Sequence, residues 1–199
     1  MLNTRASGVL MHLTSIPSRY GVGVMGDETK RFIDKIKGMG FSYWQVLPLN
    51  PPDFNGSPYT SDAAFAISHM FVSPDELVKD GLVSSEDIER SVYYGSPYTA
   101  DYEFAYSARL ELLRKAYSNA GEAIKAKAEK FANENKWCKS YSLFMAAKEK
   151  FNNKPWYEWG EDFARYENCL KNADELKAEA DFYAFVQYIA FSQWKEIKL

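Results

Sequence analysis

The chain is poor in the residues that build metal and redox centres. It has two histidines and two cysteines in 199 residues. Cys138 and Cys169 lie far apart with no ligand spacing around them, and His12 and His69 are isolated. With these numbers no His/Cys metal site is expected. Charge of one sign is also lacking. The formal charge is -3 and the pI about 5.5, and Lys125, Lys127 and Lys130 alternate with Glu122 and Glu129 as on a solvated helix face. No basic groove for nucleic acid is expected. Long apolar runs are missing too: the aromatic-rich run Phe182–Phe191 is too short to span a bilayer and contains Gln187. The N-terminal M-L-N-T-R has one basic residue and no apolar core behind it, so the expectation is a cytoplasmic protein without a signal peptide or membrane contact.

What the chain does have is aromatic side chains, 16% of its residues, with fourteen Tyr, thirteen Phe and five Trp. Tyrosine and tryptophan combine a flat apolar face with a polar edge, which suits stacking on sugar rings or nucleobases. Without a basic groove, sugars are the better match. The competing explanation is a Tyr-rich helical core, which accounts for most of these residues.

Residues 43–60, Y-W-Q-V-L-P-L-N-P-P-D-F-N-G-S-P-Y-T, organise the rest. Trp44, Val46, Leu47 and Leu49 read as a buried strand ended by proline. Pro51, Pro52, Asp53, Asn55, Gly56 and Pro58 then force an irregular loop carrying Phe54, Ser57 and Tyr59. α/β enzymes commonly present binding groups on such a loop. The alternative is a surface loop closing over a core edge.

Upstream, residues 8–16 read as a first strand, Pro17 to Gly26 as a turn-rich link, and Asp27 as the N-cap of a helix through Lys37. Gly38 and Gly40 suit its exit. Strand, helix and strand together predict a parallel crossover unit. Residues 63–72 fit either a buried strand or a short helix. Pro74 opens a short helix that stops at Gly81. From Asp101 the pattern is helical, with a break at Lys154–Trp159 packed by its own aromatics. Asp174 to Leu199 keeps helical period without a stop signal. Its many aromatics expect burial on several sides, more than two strands can supply, so the expectation is that the sequence stops before a natural domain boundary.

Several motifs are decoys. Gly21, Gly23 and Gly26 match G-x-G-x-x-G, but Pro17–Tyr20 separate them from the strand, and the second strand ends in Val46-Leu47-Pro48-Leu49 instead of a ribose-binding acid. Gly56-Ser-Pro-Tyr-Thr60 recurs as Gly95-Ser-Pro-Tyr-Thr99 with different flanks, so the second copy reads as a loop leading into a helix and the repeat as coincidence. Among carboxylates, Asp27 reads as a cap and Asp75 and Glu76 as first-turn acids. Asp53 and Asp62 flank the loop without facing each other. No glycosidase-type pair is defensible. Ser57 has no nucleophile-elbow context, and spacing places neither histidine beside it.

Taken together, S-G-V-L-M-H-L-T-S-I-P-S-R-Y-G-V-G-V-M-G, F-S-Y-W-Q-V-L-P-L and the G-S-P-Y loop resemble the 4-α-glucanotransferase (amylomaltase) family, as do W-C-K-S-Y-S-L-F-M-A-A-K, K-P-W-Y-E-W and F-V-Q-Y-I-A-F-S-Q-W-K. The resemblance runs in family order along nearly the whole chain and covers roughly the N-terminal two-fifths of the usual enzyme. It implies an α/β fold, the N-terminal portion of a (β/α)8 TIM barrel with a large mainly helical insertion, the barrel being incomplete within these residues. Residues 1–75 would be the first barrel portion with the active-site loop, 76–173 the insertion, and 174–199 a helix returning to the barrel. It also implies retaining transfer of α-1,4-glucan segments between maltosaccharides, with no metal or organic cofactor. The family's nucleophilic aspartate, acid/base glutamate and stabilising aspartate lie on later strands, so no catalytic residue is expected here and this chain by itself is expected to be inactive. The missing C-terminal part of the same enzyme would be its partner.

By the same resemblance, Ser57 matches a serine that hydrogen-bonds glucan hydroxyls, and Tyr59 a tyrosine that stacks near the scissile linkage. Tyr106 matches a tyrosine at a second glucan groove. Phe54 stands where many members have tyrosine in that groove, keeping the face and losing the hydroxyl. Leu13 replaces proline in H-P-T-S, Asn55-Gly56 replaces Gly-Asp, and Ile67-Ser68-His69 replaces Gly-Asn-Pro. Two other readings compete: a non-catalytic glucan-binding module, and a dinucleotide-binding oxidoreductase on Gly21, Gly23 and Gly26.

Overall fold

The computed structural model describes residues 5–52, 56–96 and 99–198. The chain divides into two compact units, residues 1–119 with 190–199, and residues 120–189.

The first unit holds the sheet. Strands β1 (Gly8–Leu10) and β2 (Tyr43–Gln45) are parallel, with Gly8 opposite Tyr43 and Leu10 opposite Gln45. Helix α1 (Asp27–Gly38) joins them, so the expected crossover unit is present. Both strands are much shorter than the apolar runs predict. Each has a single partner among the described residues, and past Gln45 the chain is held by the His12 side chain at Pro48 C=O and by Ser68 N–H donating to Leu49 C=O at 2.8 Å. Leu13–Ser15 turn as a 3-10 helix instead of continuing β1. The N-cap of α1 is Gly26, not Asp27. Asp27 is the first helical residue, and its carboxylate meets Lys79 Nζ at 3.2 Å. Gly40 takes φ +89° after the helix, a conformation glycine adopts without penalty.

Residues 63–72 form neither a strand nor an α-helix: they run as loop into a 3-10 turn at His69–Phe71. Helix α2 (Pro74–Lys79) starts on Ser73, whose Oγ accepts from Glu76 N–H. Helix α3 (Ser85–Ile88) starts on a reciprocal capping box between Ser84 and Asp87. Helix α4 (Tyr102–Asn119) follows, its Phe104 N–H donating to Asp101 Oδ1. The core includes Leu13, Tyr20, Phe71, Leu77 and Leu113, all fully buried.

The second unit is helical: α5 (Glu122–Glu134), α6 (Lys136–Lys150), α7 (Tyr166–Lys171) and the start of α8 (Ala173–Lys198). Trp159 is buried here, stacked on Phe151 at 5.8 Å with Nε1 donating to Lys154 C=O. The expectation that all the aromatics of 154–159 pack this break holds only for Trp159. Trp156 and Tyr157 touch each other but stay exposed. From Ala190 onward, α8 belongs to the first unit, where Trp194 packs edge-on against Trp44.

Candidate functional site

The candidate site grows from the C-terminal ends of β1 and β2. Trp44 Nε1 donates to Met11 C=O at 2.9 Å and anchors the exit of β1. His12 Nε2 then lies 3.2 Å from Pro48 C=O. A carbonyl can only accept, so Nε2 carries the proton and Nδ1 is left to accept from Thr14 Oγ1 at 2.7 Å. With its proton committed, Thr14 Oγ1 accepts from the Tyr102 hydroxyl at 3.2 Å. Burial lowers the His12 pKa, opposed by the Pro48 bond, which keeps the ring neutral and this direction of donation intact. The relay ties β1, the end of β2 and the first turn of α4 together.

Ser57 and Tyr59 share one turn. Thr60 N–H donates to Ser57 C=O at 3.3 Å, and Tyr59 N–H and the Thr60 hydroxyl both reach Ser57 Oγ. Gly56 enters that turn at φ +75°, and a Cβ there would lie 3.6 Å from the Tyr102 ring. Tyr59 is 72% exposed, with its ring available from solvent. Phe54, with Asp53, lies outside the described residues. Tyr106 is on α4 four residues after Tyr102, hence on the same helix face. Its backbone C=O accepts from His69 Nε2 at 3.1 Å, and its ring meets the His69 ring edge-on at 4.2 Å. His69 is fully buried, and desolvation holds its pKa down at about 4.

Sequence reasoning missed a cavity of about 580 Å³ in the first unit, lined by Thr14, Arg19, Tyr93, Ser96, Thr99 and Tyr102 among others. The second G-S-P-Y-T leads into α4, as its reading as a loop leading into a helix expects. Thr99 N–H donates to Ser96 C=O at 3.3 Å, the bond that Thr60 makes to Ser57 in the first copy. Pro97 and Tyr98 lie outside the described residues.

The decoys resolve physically. A Cβ on Gly23 would lie 2.0 Å from Leu13 C=O, and one on Gly26 2.7 Å from Ser73 Oγ. Those glycines admit the protein's own backbone and side chains, leaving no cradle for a pyrophosphate. Asp75 pairs with Arg19 at 2.7 Å, and Glu76 with Lys79 at 2.9 Å. These acids serve as ion-pair partners. Among the described residues no group of three or more His, Cys, Asp or Glu could hold a metal ion.

Comparison with known proteins decides the family. The family model described as 4-alpha-glucanotransferase matches residues 11–199. The chain belongs to the 4-alpha-glucanotransferase family. It is similar to the 4-alpha-glucanotransferase of Aquifex aeolicus, 40% identical over 98% of this chain and 40% of the relative. It is also similar to that of Clostridium butyricum, 37% identical over 94% of this chain and 39% of the relative. In structure it matches amylomaltase from Streptococcus agalactiae, solved in complex with acarbose, with TM-score 0.90 and 33% identity over 98% of this chain and 40% of that one. The chain thus spans about 40% of the length of the 4-alpha-glucanotransferases it matches. Within that span it is mixed α/β, mostly helical, with one small parallel sheet among the described residues.

Proposed function

We propose that this chain supplies part of the substrate site of a 4-α-glucanotransferase, a protein that moves α-1,4-glucan segments between maltosaccharides. The observation that carries the reading is the family match across residues 11–199. In this reading β1, α1 and β2 begin a (β/α)8 barrel. Residues 1–75 hold the barrel start and active-site loop, 76–173 a mainly helical insertion, and 174–199 the returning helix. A strand end leading into an exposed aromatic and hydroxyl-bearing turn supports placing substrate there.

Ser57 hydrogen-bonds glucan hydroxyls, Tyr59 offers a stacking face, and Tyr106 with Phe54 forms the second groove. Tyr59 is already exposed without rearrangement. The chemistry is a retaining double displacement. A carboxylate attacks the anomeric carbon while an acid protonates the departing 4-oxygen. The resulting glucosyl ester is then opened by the 4-hydroxyl of an acceptor sugar, which returns its proton to that same residue. Such carboxyl groups stand about 5 Å apart. None of the acids in residues 1–199 has this role in the reading, and the chain's part is binding and orientation. Two buried free cysteines fit a reducing, cytoplasmic setting, and no helix among the described residues is long and apolar enough to cross a membrane.

The test is incubation of the 199-residue chain with maltotriose, alongside titration with maltotetraose. Saturable binding without release of glucose or longer maltosaccharides is expected. Glucose release by this chain refutes the absence of catalytic carboxylates, and absence of any binding refutes the substrate role.

A further inference from the structure

We infer a further glucan-binding pocket, on the helical unit, where the exposed rings of Trp156 and Tyr166 receive one sugar ring of an α-1,4-glucan. The inference rests on the glucan-handling reading and adds residues that reading does not use.

Three observations carry it. The large exposed apolar side chains of this unit are not scattered: among its described residues they are Trp156, Tyr157, Tyr166 and Leu170, all within one stretch. Apolar surface gathered in one place marks a binding surface. A cavity of about 200 Å³ lies in the same stretch, with buried Leu143, Trp159 and Cys169 and exposed Trp156, Arg165 and Tyr166 lining it. At roughly 30 Å³ per water that is the volume of about seven waters, the space of a single pyranose ring. The rings are also fixed in place before any ligand arrives. Asn152 and Asn153 take φ +54° and +60°, the left-handed region, and Asn153 N–H donates to Lys148 C=O at 2.8 Å to close the end of α6. After that reversal Trp159 turns inward onto Phe151, while Trp156 stays 56% exposed. Tyr166, the first residue of α7, is held to α6 by its hydroxyl, 3.1 Å from Ser140 Oγ.

The lining selects the ligand. Trp156 and Tyr166 each combine an apolar face with a polar edge, which match the C–H face and the hydroxyl rim of a pyranose. Arg165 adds a planar set of N–H donors for hydroxyl oxygens and is the one charged residue among those lining the cavity. A phosphate site gathers several cations or backbone N–H groups around the anion, whereas the surroundings here are aromatic. A protein partner needs about 800 Å² from each side, far more than a cavity of this size offers. An α-1,4-glucan supplies neutral rings in series, and it is the class of substrate that the family name specifies.

The experiment uses the 199-residue chain labelled with nitrogen-15 and titrated with maltotetraose by NMR. The Thr60 backbone N–H reports on the turn of Ser57 and Tyr59, and the Trp156 indole N–H on the pocket. The expected result is a saturable shift at Trp156 that persists in Tyr59→Ala and needs at least ~10-fold more ligand in Tyr166→Ala. Arg165→Ala, a change at an exposed residue that leaves both rings in place, should weaken it as well. Shifts at Thr60 without one at Trp156 overturn the pocket and leave the glucan-handling reading standing. Loss of the Trp156 shift in Tyr59→Ala also overturns it, by making the two one site. A Trp156 shift unchanged in both Tyr166→Ala and Arg165→Ala overturns it, as does a shift produced by inorganic phosphate and not by maltotetraose. No shift at either reporter with maltotetraose overturns both readings.

Discussion

The Gln193 carboxamide makes both hydrogen bonds of a peptide unit to Ser73: Oε1 accepts from Ser73 N–H at 2.8 Å, and Nε2 donates to Ser73 C=O at 3.3 Å. Both residues are buried and 120 positions apart. Ser73 is also the N-cap of α2 and touches Gly26 at the start of α1. The end of α8 thus fixes the point from which two helices start.

Gln193→Leu keeps the volume and leaves Ser73 N–H unpaired, while Ser73 C=O keeps the bond from Leu77 N–H at 3.3 Å. A buried orphan costs about 1–3 kcal/mol, so a loss of that order in urea unfolding is expected. A change under about 0.5 kcal/mol would show that the clamp contributes little.

Gly23→Ala places a methyl against the Leu13 carbonyl, a backbone atom that cannot rotate away. Destabilisation of about 1–3 kcal/mol or more is expected, and NAD titration of the unmodified chain should show no saturable binding. Tolerance of alanine together with NAD binding would revive the dinucleotide reading.

Acid sensitivity should centre on His69. Its folded pKa of about 4 lies below the ordinary 6.5 because burial disfavours the imidazolium. Between those values the unfolded chain binds the extra proton, so stability is complete above about pH 6.5 and falls as pH drops toward 4. At about 1.4 kcal/mol per unit the loss is on the order of 3 kcal/mol. His69→Gln keeps a donor for the Tyr106 carbonyl but cannot titrate, and its stability should vary less with pH over this window. An unchanged slope would assign the effect to other groups, the neutral, half-buried His12 first.

Tyr59→Ala should separate binding from folding. The ring is largely exposed, so stability should move by less than about 0.5 kcal/mol. Loss of the stacking face should weaken maltotetraose binding at the first turn about tenfold. Ser57→Ala should also weaken it. A destabilised Tyr59→Ala chain with unchanged affinity would make this turn a structural cover.

The sequence by itself determined the helices and the order of the crossover unit. Periodic apolar stripes, the Ser73-Pro74 start and the glycine exits act within a few residues, so local chemistry decides them. It also determined the family, through motifs in fixed order. The strand lengths were decided elsewhere. The apolar runs at 8–16 and 43–50 would suit longer strands, but pairing is a two-sided property, and the paired segment ends where His12 and Trp44 take over the backbone carbonyls. The same holds for the glycine motif, whose meaning depends on Leu13 and Ser73 lying against it. The bond between Thr14 and Tyr102, 88 positions apart, needed the tertiary structure most of all. Contacts between residues more than 40 positions apart leave no periodic trace in the chain, because they depend on how the helices and strands pack.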